Sequence, residues 1–174
     1  CRRAAGDGLK DGAAMFKIAG HTMGTPEYTV CEAIELLHRI GADGVEIVVQ
    51  NDYRSGLPCD CNENTLAEVR RCAEQNNIQI ICLTPYNSYF NSLDEPVRQR
   101  EIAAIKKVMG YCDQLGTKYI RIYGGNLAAG DTEKLAERRA RLIESMCELG
   151  DAAAEKGVTL VIENHFNTMA VSAK

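Results

Sequence analysis

A carboxylate, an amide and an imidazole directly follow an apolar run near the end of the sequence. The run covers residues 158–162, and Glu163, Asn164 and His165 come next. Five consecutive aliphatic or β-branched residues predict a strand that is buried on both faces, as in a parallel sheet. Because α/β proteins bind ligands at the carboxyl ends of such strands, these three side chains stand where chemistry is expected. The alternative is that they only begin a solvated loop.

Strand and helix patterns alternate along the chain from residue 16 onward. Apolar runs begin near residues 16, 44, 78, 118 and 158, and one amphipathic helical pattern lies between each pair. Parallel strands need such helical crossovers, since a short turn cannot return the chain to the same end of the sheet. The sequence therefore predicts one α/β unit over residues 15–174. Residues 1–14 are predicted to be an unstructured leader.

Capping residues predict where the helices begin. Thr25 followed by Pro26 is typical of a helix N-terminus, so we expect the first helix to start there. Either Asp94 or Ser92 is expected to open the long third helix, because both side chains can accept a bond from a free backbone N–H group. Residues 169–173 have the pattern of the start of a fifth helix.

The composition narrows the class of partner. The 174 residues carry a net charge of -4, so the chain lacks the basic surface that a nucleic acid partner needs. No apolar run approaches the roughly 18 residues of a membrane span. The eight cysteines fall mostly in helix and strand patterns, and Cys59 and Cys61 form an isolated pair that is a weak metal signal. We therefore expect free thiols, a cytoplasmic location and no membrane partner.

Two charged residues inside apolar strands favour a barrel over an open sheet. Glu46 and Arg121 lie among aliphatic residues, where an unpaired charge would cost several kcal/mol. A barrel interior allows such charges to meet near its mouth, either as a structural ion pair or as part of a substrate site. The loop at residues 21–26 has no phosphate-binding glycine pattern. A full barrel needs about 250 residues, so the predicted fold is the N-terminal part of a (β/α)8 TIM barrel, with about five parallel strands and four helices.

Four segments of the chain resemble one protein family. They are Phe-Lys-Ile-Ala at 16–19, Gly-Ala-Asp-Gly-Val-Glu-Ile at 41–47, Leu-Gly-Thr-Lys-Tyr-Ile-Arg at 115–121 and Lys-Gly-Val-Thr-Leu-Val-Ile-Glu-Asn-His at 156–165. Together they resemble the xylose isomerase-like barrels, which include sugar phosphate isomerases and epimerases, inosose dehydratases and hydroxypyruvate isomerases. The resemblance implies an isomerase or epimerase that moves a proton beside the carbonyl of a small sugar or sugar phosphate.

The resemblance also implies a divalent metal, such as Mn, Mg, Co or Zn, at the mouth of the barrel. Its ligands in the family are a strand-five glutamate, an aspartate and a histidine from strands six and seven, and a strand-eight glutamate. The first corresponds to Glu163, which can also act as the catalytic base. The other three have no counterpart before Lys174, so the metal site of this chain is expected to be incomplete.

The remaining polar residues at strand ends are expected to bind the substrate. They are His21, Glu46, Arg121, Asn164 and His165. Both end strands of a partial barrel have unpaired edges, which favour a homo-oligomer. One alternative is a non-catalytic domain that binds a sugar or assembles as half-barrels. A metallonuclease resembling the apurinic endonucleases is disfavoured, because residues 50–51 and 85–86 supply no histidines for its zinc cluster.

Overall fold

A computed structural model describes residues 16–128 and 133–171 of the chain. The described residues form one parallel sheet with strand order β1-β2-β3-β4-β5 and four intervening α-helices. The strands are β1 (Ala19–His21), β2 (Gly44–Val49), β3 (Gln79–Pro85), β4 (Tyr119–Tyr123) and β5 (Thr159–Glu163). The helices are α1 (Val30–Arg39), α2 (Glu63–Gln75), α3 (Glu95–Leu115) and α4 (Leu135–Glu155). This architecture confirms the predicted partial barrel; the predicted leader lies outside the described residues.

The two faces of the sheet have different environments. Val45, Ile47, Ile120 and Ile122 are fully buried in one apolar core with side chains of the four helices. Because side chains alternate between the faces of a strand, the residues between them point to the opposite side. That side carries no helix among the described residues, and it corresponds to the interior of a barrel.

The start of α1 differs from the prediction. Thr25 does not cap a helix: its Oγ1 donates to the carbonyl of Thr22 at 2.9 Å and closes a 3-10 turn over Thr22–Gly24. Thr29 caps the helix instead. Its Oγ1 accepts from the Glu32 backbone N–H at 3.3 Å, and the Glu32 carboxylate accepts from the Thr29 N–H at 2.7 Å. The reciprocal pair fixes the helix start four residues after Thr25.

The start of α3 agrees with the prediction, whereas the end of the described chain does not. Asp94 caps α3 as expected, accepting from the backbone N–H of Val97 at 3.1 Å. The predicted fifth helix is wrong over the described residues 169–171, which contain no helical turn. The Met169 N–H donates to the Gly124 carbonyl at 3.0 Å, so this segment folds back onto the loop after β4.

The outer strands β1 and β5 leave apolar side chains in contact with solvent. Ile18, Val161 and Ile162 are 64%, 45% and 50% exposed. In a closed barrel neighbouring strands and helices would cover such side chains, and none of the described residues does so here. None of the described helices combines the length and the apolar character that a membrane crossing requires.

Candidate active site

An open cavity of about 870 Å³ lies at the carboxyl ends of the strands. Strand alternation directs the side chains of Glu46, Arg121 and Glu163 into it, and the loops add further lining. Five of the six predicted site residues line this cavity: His21, Glu46, Arg121, Glu163 and His165. Asn164 does not line it. Asn164 is exposed, because it follows Glu163 directly and the alternation turns it away.

Glu163 and Arg121 form an ion pair in the cavity. The Arg121 Nε atom lies 3.1 Å from Glu163 Oε2. The Glu163 side chain is 41% exposed, whereas that of Arg121 is 12% exposed. The sequence left open an ion pair between Glu46 and Arg121, but the carboxylate partner of Arg121 is Glu163. The side chains of Glu46 and Arg121 both point into the interior, as predicted for a barrel.

Two tyrosine rings hold the Arg121 guanidinium. Its carbon atom lies 4.7 Å from the ring centre of Tyr86 and 4.4 Å from that of Tyr123. The two rings are 5.7 Å apart and nearly perpendicular, at 74°. Such contacts are favourable between a cation and the electron-rich face of an aromatic ring. Tyr123 shares the inward face of β4 with Arg121, which is a sequence signal that could have identified it.

Glu101 anchors the loop that carries Tyr86. Its carboxylate accepts from the Ser88 N–H at 2.8 Å, the Tyr89 N–H at 3.0 Å and the Asn87 side chain at 3.1 Å. Tyr86 itself contacts Met23, whose Sδ atom lies 3.1 Å from the phenol oxygen. Sequence reasoning missed Glu101, because it lies within α3 and only the fold brings it under this loop.

Both ring nitrogens of His21 are occupied by protein groups. Nδ1 accepts from the Met23 backbone N–H at 3.0 Å, and Nε2 lies 3.0 Å from Thr84 Oγ1. Because the Thr84 hydroxyl donates to the Ile47 carbonyl at 3.1 Å, it accepts from His21, which is therefore neutral with its proton on Nε2. Burial lowers the pKa of His21, in agreement with a neutral ring. His21 thus orders the mouth of the cavity, with no nitrogen left over for a substrate.

Glu46 and His165 keep polar atoms available to a ligand. No hydrogen bond or ion pair from the described residues reaches the half-buried Glu46 carboxylate. His165 Nδ1 lies 2.7 Å from the carbonyl oxygen of Phe166, which can only accept, so Nδ1 carries the proton. Within the described chain no residue bonds its Nε2. That nitrogen can accept from a substrate hydroxyl.

An aromatic wall continues from the tyrosines along the loop after β5. The Tyr123 and His165 rings are 5.1 Å apart, and those of His165 and Phe166 are 4.0 Å apart. Phe166 is 72% exposed and lines the cavity. A wall of this kind can hold the apolar face of a sugar ring.

The described residues do not form a metal site by themselves. They contain no group of three or more His, Cys, Asp or Glu side chains that could hold a metal ion. Glu163 offers one oxygen donor at the cavity surface, whereas hard cations usually gather several. A site with three or more such ligands would therefore need at least one from outside the described residues.

A sequence comparison identifies the family. The sequence model of the xylose isomerase-like TIM barrel family matches residues 34–173. The chain belongs to this family. No curated protein matches the sequence of the chain.

Solved structures of a sugar epimerase, an epimerase-like protein and a zinc-binding protein share the fold of this family member. A D-tagatose 3-epimerase-like protein is 12% identical, with a TM-score of 0.74 over 90% of this chain and 57% of that protein. D-psicose 3-epimerase, solved with D-fructose, is 19% identical, with a TM-score of 0.71 over 89% and 55%. The IOLI protein with a bound zinc atom is 23% identical, with a TM-score of 0.68 over 89% and 54%. The chain spans slightly more than half the length of each.

Proposed function

We propose that the protein containing this chain is an isomerase or epimerase of a small sugar or sugar phosphate, with Glu163 as its base. The observation that carries the proposal is the position of Glu163, whose carboxylate enters the cavity at the end where barrels of this kind act. Arg121 engages Oε2, and no described residue bonds Oε1. The epimerases that share the fold support the same class of reaction.

The reaction begins with removal of a proton from the carbon atom beside a carbonyl group of the sugar. The Oε1 atom of Glu163 takes this proton and the substrate becomes an enediolate. The protonated Glu163 returns the proton to the neighbouring carbon in an isomerisation, whereas an epimerisation needs a second acid on the opposite face, from outside the described residues. Glu46 and His165 Nε2 bind substrate hydroxyls, while the wall from Tyr123 to Phe166 contacts the sugar ring. A divalent metal would stabilise the negative oxygen as a Lewis acid. We assign only Glu163 to its ligand set, because the described residues do not complete the site.

Proton exchange in deuterated water tests the assignment without knowledge of the product. We expect the protein to exchange a C–H proton of a ketohexose such as D-fructose or D-tagatose, measured by NMR with Mn²⁺, Mg²⁺, Co²⁺ or Zn²⁺ added in turn. Glu163→Gln should lower the exchange rate about 100- to 10,000-fold, because the amide cannot accept the proton. Glu155→Gln, at the exposed end of α4, is the matched control. An unchanged exchange rate in Glu163→Gln contradicts the proposal.

A non-catalytic assembly domain is the second candidate. Among the described residues β1 and β5 each pair on one side only, and Val161 and Ile162 are exposed; both features favour it, because unpaired edges bind other strands. It predicts a homo-oligomer in sedimentation and sugar binding with no proton exchange in the wild-type protein.

A further inference from the structure

We infer that Arg121 is a positioning residue, which holds the Glu163 carboxylate in the direction that proton transfer requires. The inference rests on the proposed function of Glu163 and goes beyond it, because it gives a role to the two tyrosines as well. Arg121, Tyr86 and Tyr123 act as one unit, here called the guanidinium slot.

The geometry of the guanidinium slot limits the movement of Arg121. The flat cation lies against two nearly perpendicular rings, with its carbon atom 4.7 Å and 4.4 Å from their centres. Its Nη1 atom also lies 3.5 Å from the Pro85 carbonyl oxygen. A free arginine side chain has several rotatable bonds, but this one is enclosed and only 12% exposed. The Nε atom that meets Glu163 is therefore fixed in space.

Glu163 depends on this fixed partner. Its side chain is 41% exposed, and Arg121 is the one described residue that forms an ion pair or hydrogen bond with its carboxylate. A base has to lie within about 3 Å of the proton that it removes. Fixing Oε2 leaves Oε1 as the atom that faces the substrate. Loss of Arg121 should therefore impair the reaction more than it impairs substrate binding.

A purely substrate-binding arginine predicts a different outcome. Its removal would raise KM and leave kcat nearly unchanged. Removal of a positioning residue instead lowers kcat and changes KM little, because displacing a catalytic group by about 1 Å can lower the rate about 100-fold. The ratio of the two effects separates these roles.

The first test measures whether a free guanidinium compound binds the guanidinium slot and raises the melting temperature, and it needs no substrate. Arg121→Ala leaves a space between two tyrosine rings that ethylguanidinium can enter. We expect millimolar ethylguanidinium to raise the melting temperature of Arg121→Ala by several degrees, with no rise in the wild type. Ethylammonium should have no such effect, because a compact ammonium lacks the flat face that stacks on a ring. Arg70→Ala, which removes an equal charge from the surface of α2, is the control variant.

The second test measures turnover in the protein that contains this chain. Arg121→Ala should lose on the order of 100-fold in kcat with KM within about twofold, and ethylguanidinium should restore part of the loss. Arg121→Lys should be rescued less well, because its ammonium blocks the space without stacking. A rise in KM with unchanged kcat overturns the inference. So does a folded Arg121→Ala whose melting temperature does not respond to ethylguanidinium.

Failure of the proposed function gives a distinct result. If the wild type exchanges no sugar proton, that function is wrong, and crystal structures still decide the positioning role. Arg121→Ala should then show Glu163 in more than one conformer, or displaced, while the wild type shows one. An unchanged Glu163 overturns the inference. If Arg121→Ala does not fold, Tyr123→Leu tests the same slot, since it removes one wall and should loosen Arg121 and Glu163 together.

Discussion

Replacing Thr84 by valine removes one hydroxyl from beneath the site and keeps the side-chain volume. Thr84 is 1% exposed. Its Oγ1 accepts from His21 Nε2 at 3.0 Å and donates to the Ile47 carbonyl at 3.1 Å. In the Thr84→Val variant the His21 N–H group loses its only acceptor among the described residues. We therefore expect Thr84→Val to be less stable than the wild type, because a methyl group cannot replace these two hydrogen bonds.

The expected loss follows from these two bonds. A hydrogen bond within a protein contributes about 1 kcal/mol net, and a buried donor left without an acceptor costs about 1–3 kcal/mol. Because His21 is only half-buried and lines the open cavity, the lower end of this penalty applies, and Thr84→Val should lower the free energy of unfolding by about 2 kcal/mol. Thr117→Val is the control variant: Thr117 lies between α3 and β4, its Oγ1 donates to the Ile81 carbonyl at 2.9 Å, and it contacts no imidazole. Its loss should be about 1 kcal/mol.

Urea unfolding of the wild type and both variants measures the difference. The transition midpoint should shift further for Thr84→Val than for Thr117→Val, with an unchanged slope against urea concentration. Equal shifts would refute the argument, since they would show that His21 does not depend on the Thr84 hydroxyl.

Three further outcomes are expected. Burial lowers the pKa of His21 from 6.5, so the unfolded chain binds the proton at a higher pH than the folded protein does. The free energy of unfolding should therefore fall as the pH drops below 6.5 toward the pKa of the folded protein. His21→Gln should flatten that part of the plot of urea midpoint against pH. Asn91→Ala should cost about 2 kcal/mol in urea unfolding, because the buried Asn91 side chain accepts from the Asn126 N–H at 2.9 Å and donates to its carbonyl at 2.6 Å. Burial raises the pKa of Cys31 to about 12, so mass spectrometry should find Cys31 alkylated by iodoacetamide at pH 8 far more slowly than the exposed Cys147.

Local patterns in the sequence determined the sheet and the direction of its polar side chains. The alternation of apolar runs and helices predicted about five parallel strands, and five are found. The two-residue period of a strand placed Glu46, Arg121 and Glu163 on one face, and all three line the cavity. The same period explains why Asn164 is outside it. The alternation of side chains along one strand depends on neighbouring residues only, so the sequence is sufficient to predict it.

The pairing of those side chains was decided by the tertiary structure. Arg121 meets Glu163 because β4 and β5 are adjacent, with Tyr123 opposite Glu163 in the register, whereas Glu46 lies on β2, beyond β3. The bond between His21 and Thr84 joins residues 63 positions apart, and it turns a predicted substrate ligand into a support of the cavity. Such contacts depend on strand register and loop packing over distances of a few ångströms, which residue types and spacing along the chain do not specify.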